Sequence, residues 1–107
     1  MKLRILLTLY AHNNGGRVRP LKPLLFHPEW RSASKPGANT APITQPSDPI
    51  PYGSTIEAVI EPKVPLFWSA IKAGETLYCC DGKFIIGDAL VMDIEKDQQD
   101  GENAFES

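Results

Sequence analysis

Cysteine is scarce in this sequence, and its two cysteines, Cys79 and Cys80, are adjacent. Neighbouring cysteines rarely form a disulfide with each other, because the geometry of the bond does not suit them. On a strand, their side chains point to opposite faces. A disulfide framework is therefore excluded, which is typical of a protein from a reducing compartment. We expect a cytoplasmic protein.

The sequence also lacks an apolar run that is long enough to span a membrane. Residues 3–10 are apolar, but the run is short and Arg4 interrupts it. No small-residue cleavage site follows it, so the pattern does not favour a signal peptide. We expect no association with a membrane.

Motifs for catalysis or cofactor binding are absent as well. The two histidines, His12 and His27, do not form a zinc motif with Cys79 and Cys80. A thiol nucleophile needs a base and an orienting group, and the sequence indicates neither. No Gly-x-x-x-x-Gly-Lys-Ser/Thr phosphate loop is present. We therefore predict a non-enzymatic protein without metal or cofactor. An enzymatic activity that depends on Cys79 or Cys80 is kept as an alternative.

Charge is distributed unevenly along the chain. Residues 1–35 hold seven basic residues against Glu29, a net charge of +6, whereas residues 93–107 hold six acidic residues against Lys96, a net charge of −5. A basic region of this kind is typical of a surface that meets nucleic acid or an acidic protein. The alternative is a solvated surface that the acidic segment partly neutralises.

Proline is abundant, and the apolar residues alternate, which together predict short strands joined by loops. The clearest case is residues 2–11, where Leu3, Ile5, Leu7 and Leu9 share one face. Further strands are predicted at residues 24–30, 39–44, 55–60, 75–80 and 83–94. A two-residue turn is predicted at Asp81-Gly82, a bulge or corner at Gly87, and a bulged loop or single turn at residues 66–71.

Six antiparallel strands without a long helix predict a small closed β-barrel, which leaves no strand edge unpaired. At 107 residues the chain is long enough for one such domain with a single core. We place this domain at residues 1–92. Residues 93–107 lose the apolar alternation and are highly charged, so we predict a disordered acidic tail there.

The order of the motifs resembles the C-terminal β-barrel, or third domain, of bacterial elongation factor Tu and related translation factors. The motifs are an alternating first strand, a Gly-Gly-Arg loop, a nearby proline, an aromatic strand, a glycine turn before an apolar strand, and a closing glycine hairpin. In this chain they are Leu3–Tyr10, Gly15-Gly16-Arg17, Pro20, Phe26-His27-Pro28, Gly53-Ser54-Thr55-Ile56 and Gly82–Val91. The resemblance implies a six-stranded antiparallel barrel. It also implies a binding role, because in the family this domain packs on a GTPase domain and on the T-stem of aminoacyl-tRNA.

The predicted binding residues are four cations on the basic segment and two tryptophans. They are Arg17, Arg19, Lys22, Arg31, Trp30 and Trp68. The resemblance aligns Arg17 with an arginine of the family, but Val18 stands where the family has a histidine, and the anionic Asp88 follows Gly87. The two tryptophans are either exposed anchors at an interface or part of the core, whereas we expect Phe67 in the core.

The function that this pattern favours is a stand-alone, elongation-factor-like binding module. We expect a protein partner that is linked to translation or to a toxin that targets translation, as an immunity protein would have. The alternative is an RNA-binding module that grips a tRNA stem by shape and phosphate contacts. Either module is expected to be a monomer or a weak oligomer.

Overall fold

The computed structural model describes residues 1–11, 19–34 and 38–96. Within these ranges the chain forms seven strands and one single-turn helix. They are β1 (Lys2–Leu9), β2 (Glu29–Ser32), β3 (Ala38–Thr40), β4 (Ile43–Gln45), β5 (Thr55–Ile60), α1 (Pro65–Trp68), β6 (Thr76–Asp81) and β7 (Phe84–Glu95). The prediction of an all-β protein is confirmed. No described helix has the length and apolarity that crossing a membrane requires.

All seven strands belong to one antiparallel sheet, in the order β3-β2-β6-β7-β1-β5-β4. The long strands β1 and β7 lie at its centre, where Leu7 pairs with Ala89 of β7 and with Ile56 of β5. The β6–β7 connection is a hairpin in which Asp81 pairs with Phe84. Its turn is therefore Gly82-Lys83, one residue beyond the prediction, because Gly82 supplies the positive φ that the turn requires.

The core lies on the inner, concave face of the sheet. The alternating residues of β1 that were predicted to share one face are all fully buried there. Alternate residues of β5, β6 and β7 complete the same layer, because side chains two apart on a strand point the same way. These are Ala58, Ile60, Leu77, Cys79, Ile86, Ala89 and Val91.

The prediction of a closed six-stranded barrel is wrong in its details: the sheet is a curled half-barrel of seven strands. The expected strand at residues 39–44 is broken at Ala41-Pro42, since proline has no N–H to donate to a ladder. The Ala41 carbonyl instead accepts the Nε1–H of Trp30, and the Pro42 carbonyl accepts the amide of Glu61. The two halves, β3 and β4, consequently pair with opposite ends of the sheet.

Two bulges shift the side-chain phase of β7. Arg4 of β1 pairs with Asp93, and the next residue pairs with Val91, so Met92 is the extra residue. Strand β7 continues through this bulge to Glu95, so residues 93–95 belong to the strand and the tail predicted at residues 93–107 begins too early. Residues 97–107 of that predicted tail lie outside the described residues. The second bulge places Ile86 opposite no residue of β6, next to the predicted irregularity at Gly87.

The predicted strand at residues 24–30 is only partly present. The chain is a hydrogen-bonded turn at residues 22–26 and becomes a strand only at Glu29. Prolines at positions 23 and 28 remove two donors from the segment, and this limits how much of it can pair. In the 66–71 segment, a single helical turn buries Trp68 and the following turn buries Ile71, as one of the two predicted alternatives required.

Candidate binding surface

The two tryptophans are not exposed anchors at an interface, which was one of the two alternatives predicted for them. Trp30 and Trp68 are both 0% exposed and belong to the core. Trp30 is fixed by the hydrogen bond that its Nε1–H donates to the Ala41 carbonyl, at 3.0 Å. The ring of Trp68 meets the ring of Phe67 edge to face, with centroids 5.2 Å apart. The core alternative is therefore the observed one, because both rings fill the concave side of the curl.

Arg31 reaches the surface, but its guanidinium is already engaged. Its Nη2 lies 3.0 Å from Glu29 Oε1 and donates a hydrogen bond of 3.2 Å to the carbonyl of Gly82. These contacts tie β2 to the tip of the β6–β7 hairpin. An arginine with a neighbouring carboxylate offers less positive charge to a phosphate, so the contribution predicted for Arg31 is reduced.

Arg19 and Lys22 are the predicted cations that the structure leaves available. Both side chains are exposed, and among the described residues neither has a carboxylate within ion-pair distance. Arg17, the fourth predicted cation, lies outside the described residues. Of the predicted cations, Arg19 and Lys22 therefore remain available, three positions apart on one short segment.

Between these cations and β2 lies a turn that sequence reasoning missed. We call residues 22–26 the leucine turn, because Leu24 and Leu25 are 70% and 78% exposed. No other large hydrophobic side chain in the described part of the chain is as exposed. The available signal was the pair of prolines on either side of the two leucines, Pro23 and Pro28, which favour a turn over a strand.

The leucine turn is anchored on both sides. The carbonyl of Lys22 accepts the amides of Leu25 and Phe26, at 3.0 and 3.1 Å. Just before it, Leu21 and Ile50 exchange two backbone hydrogen bonds of 2.8 Å, and both side chains are buried. Phe26 packs its partly buried ring against the core. The two leucines are consequently held outward by a fixed backbone.

The tip of the β6–β7 hairpin lies at the same end of the sheet. Glu29, the first residue of β2, pairs with Cys80, which precedes the hairpin turn. The hairpin presents the partly exposed side chains of Phe84 and Ile85. Lys83 Nζ lies 5.8 Å from the centre of the Phe84 ring, within the range of a cation–π contact. This end thus combines exposed apolar groups with lysine and arginine.

The thiols are poor candidates for chemistry. Cys79 points into the core, and burial raises its pKa well above the ordinary value, with a smaller effect from Cys80. Burial also raises the pKa of Cys80, which Arg31 partly offsets. The nucleophilic form of cysteine is the thiolate, so both residues remain in their unreactive form at neutral pH. The described residues contain no cluster of three potential metal ligands.

A groove of about 330 Å³ lies on the outer face at the opposite end of the sheet. Its lining is mixed: Lys2 and Arg4 from β1 face Asp93 and Glu95 from β7. Arg4 lies 3.4 Å from Glu57 and 3.8 Å from Asp93, so its charge is largely balanced within the protein. The groove therefore carries no net charge that would select one class of ligand.

Comparison with known proteins supplies no relative. No protein-family model, no curated protein and no solved structure matches this chain.

Proposed function

We propose that this chain is a non-enzymatic binding module that recognises a protein partner through the end of the sheet that carries the leucine turn. The observation that carries the proposal is the pair of adjacent leucines, 70% and 78% exposed, on a turn beside Arg19 and Lys22. Exposed apolar groups that are contiguous and bordered by polar residues are typical of protein interfaces.

The resemblance to the third domain of elongation factor Tu supports a partner that belongs to translation. By analogy between folds alone, a translation protein, or a toxin directed against translation, is the first partner to test.

RNA binding is the second candidate, and Arg19 and Lys22 favour it, because exposed cations contact phosphates. Three features favour a protein instead. Arg31 is engaged by Glu29, and Trp30, the aromatic residue nearest to it in sequence, is buried and offers no face on which a base would stack. The apolar turn also has no obvious use against a phosphate backbone.

The test compares the two partners directly. The purified chain is used to isolate proteins from a bacterial lysate and, separately, to shift tRNA in a gel at low and moderate salt. We expect saturable recovery of a protein and weak tRNA binding. Tight tRNA binding that falls steeply with salt, and that Arg19→Ala with Lys22→Ala weakens, would instead establish the second candidate.

A further inference from the structure

The shape of the leucine turn indicates how it makes contact. Its two leucines stand on a convex turn whose backbone is fixed by the Lys22 carbonyl and by the Leu21–Ile50 pair. A protruding apolar group fits a cleft in its partner, and a flat surface would leave it half hydrated. Because the backbone is already fixed, binding costs little conformational entropy.

The charge around the turn indicates what borders that cleft. Arg19 and Lys22 precede the leucines on the same short segment, are exposed, and have no described carboxylate within ion-pair distance. The Leu21–Ile50 pairing brings Asp48 to the neighbouring segment, yet no ion pair forms between Asp48 and either cation. A partner with carboxylates at the rim of the cleft would pair with both cations. Complementary rims accelerate and orient association.

We infer that the leucine turn is the docking element of this chain, with Leu24 and Leu25 as its anchors, and that its partner is a protein with an apolar cleft bordered by carboxylates. The inference rests on the proposed protein-binding function and adds the anchor residues and the chemistry of the partner. A lipid surface is a poorer occupant, because two leucines and two cations supply little of the apolar area and charge that stable membrane attachment needs.

A matched set of variants tests the site. In Leu24→Ser with Leu25→Ser the anchors are removed, and in Arg19→Glu with Lys22→Glu the charge is reversed. Val64→Ser is the control. Val64 is 62% exposed, but it follows the last residue of β5 and so lies at the end of the sheet opposite to the leucine turn. All the altered side chains are exposed, so circular dichroism and melting curves should match those of the original chain.

The measurement is the affinity of each variant for the partner recovered from lysate, combined with a photo-crosslinker at position 25 to map the contact. We expect the leucine variant to bind at least about thirtyfold more weakly, as hot-spot residues do. The charge variant should associate more slowly, and Val64→Ser should bind normally. The crosslinked peptide of the partner should contain apolar residues together with Asp or Glu.

Three results would overturn the inference while leaving protein binding intact. They are undiminished affinity of the leucine variant, equal loss in Val64→Ser, and a crosslinked site that is basic or fully polar. Self-association of the purified chain that the leucine variant abolishes would replace the partner with a second copy. Binding to anionic vesicles that the same variant abolishes would replace it with a membrane. Recovery of no saturable protein would overturn the proposed function itself.

Discussion

The leucines of β1 and those of the leucine turn show that one residue type has opposite roles in this molecule. Leu7 is 0% exposed and Leu25 is 78% exposed, although both belong to apolar runs in the sequence. Leu7 lies on a strand that is paired on both sides, so its side chain must point to one of two faces. Leu25 lies on a turn that is closed by the carbonyl of Lys22, which directs its side chain outward. The position of a leucine on the backbone, on the concave face of a strand or on an outward turn, therefore decides whether it forms the core.

The largest expected difference in stability comes from truncating a leucine to alanine in each of the two regions. Leu7→Ala should lower the free energy of unfolding by about 2–5 kcal/mol, because it leaves a cavity in a packed core. Leu25→Ala should change it by less than about 0.5 kcal/mol, as surface substitutions do. Urea unfolding followed by fluorescence measures both values. Similar losses in the two variants would show that the turn is packed against other residues and is not a free surface.

Two glycines show the same contrast between a central strand and a turn. A Cβ at Gly87 on β7 would collide with the carbonyl oxygen of Thr8 and lie 3.0 Å from Leu9 Cδ2, whereas Gly82 in the hairpin turn has open space but a φ of +61°. Alanine should therefore cost about 1–3 kcal/mol at Gly87, through overpacking. At Gly82, alanine should cost about 1–2 kcal/mol, through the left-handed backbone.

Asparagine distinguishes the two causes. It tolerates the left-handed region, so Gly82→Asn should be more stable than Gly82→Ala. Gly87→Asn should be less stable than Gly87→Ala, because the larger side chain has no space. Thermal melts of the four variants supply the test. If the alanine and asparagine variants ranked in the same order of stability at both positions, the glycines would not be required for two different reasons, space on the strand and backbone angle in the turn.

Features that follow from local patterns were predictable from the sequence, and features that depend on distant partners were not. Alternation alone located β1 and its buried face. The break at Pro42 was harder to predict, because its effect depends on Trp30 and Glu61, which take the carbonyls of Ala41 and Pro42. The surface was predicted least well. The tryptophans were considered as interface anchors because of their residue type, but they are buried on the concave face of the sheet. The exposed apolar side chains are instead the leucines of the leucine turn.

The tryptophans extend the comparison to polar atoms within the core. Trp30 donates its Nε1–H to the Ala41 carbonyl, whereas Nε1 of Trp68 is buried without a hydrogen-bond partner among the described residues. Trp30→Phe leaves that carbonyl unpaired, and Trp68→Phe removes an unpaired donor. We expect Trp30→Phe to be the more destabilising of the two by about 1–3 kcal/mol. Equal denaturation midpoints and slopes for the two variants would contradict this difference.

The smallest expected effect concerns Tyr10, which lies just beyond the end of β1, between the two regions. Its hydroxyl donates a 2.8 Å hydrogen bond to Asp88 Oδ2. Burial, together with this bond to a carboxylate, raises the pKa of Tyr10 from 10.0 to about 12. Folding therefore favours the neutral phenol. The stability that this group contributes is complete below pH 10 and is lost as the pH rises towards 12.

Alkaline titration of the folded protein, followed by the ultraviolet absorbance of the phenolate, should show one tyrosine that ionises last. In Tyr10→Phe this late step should disappear, and in Asp88→Asn it should move to lower pH, because the carboxylate that opposes ionisation is gone. The Tyr10→Phe variant should also lose less stability than the original chain over the same interval. If the late step persists in Tyr10→Phe while the protein remains folded, another tyrosine is the protected one, and the end of β1 is as open to solvent as the leucine turn.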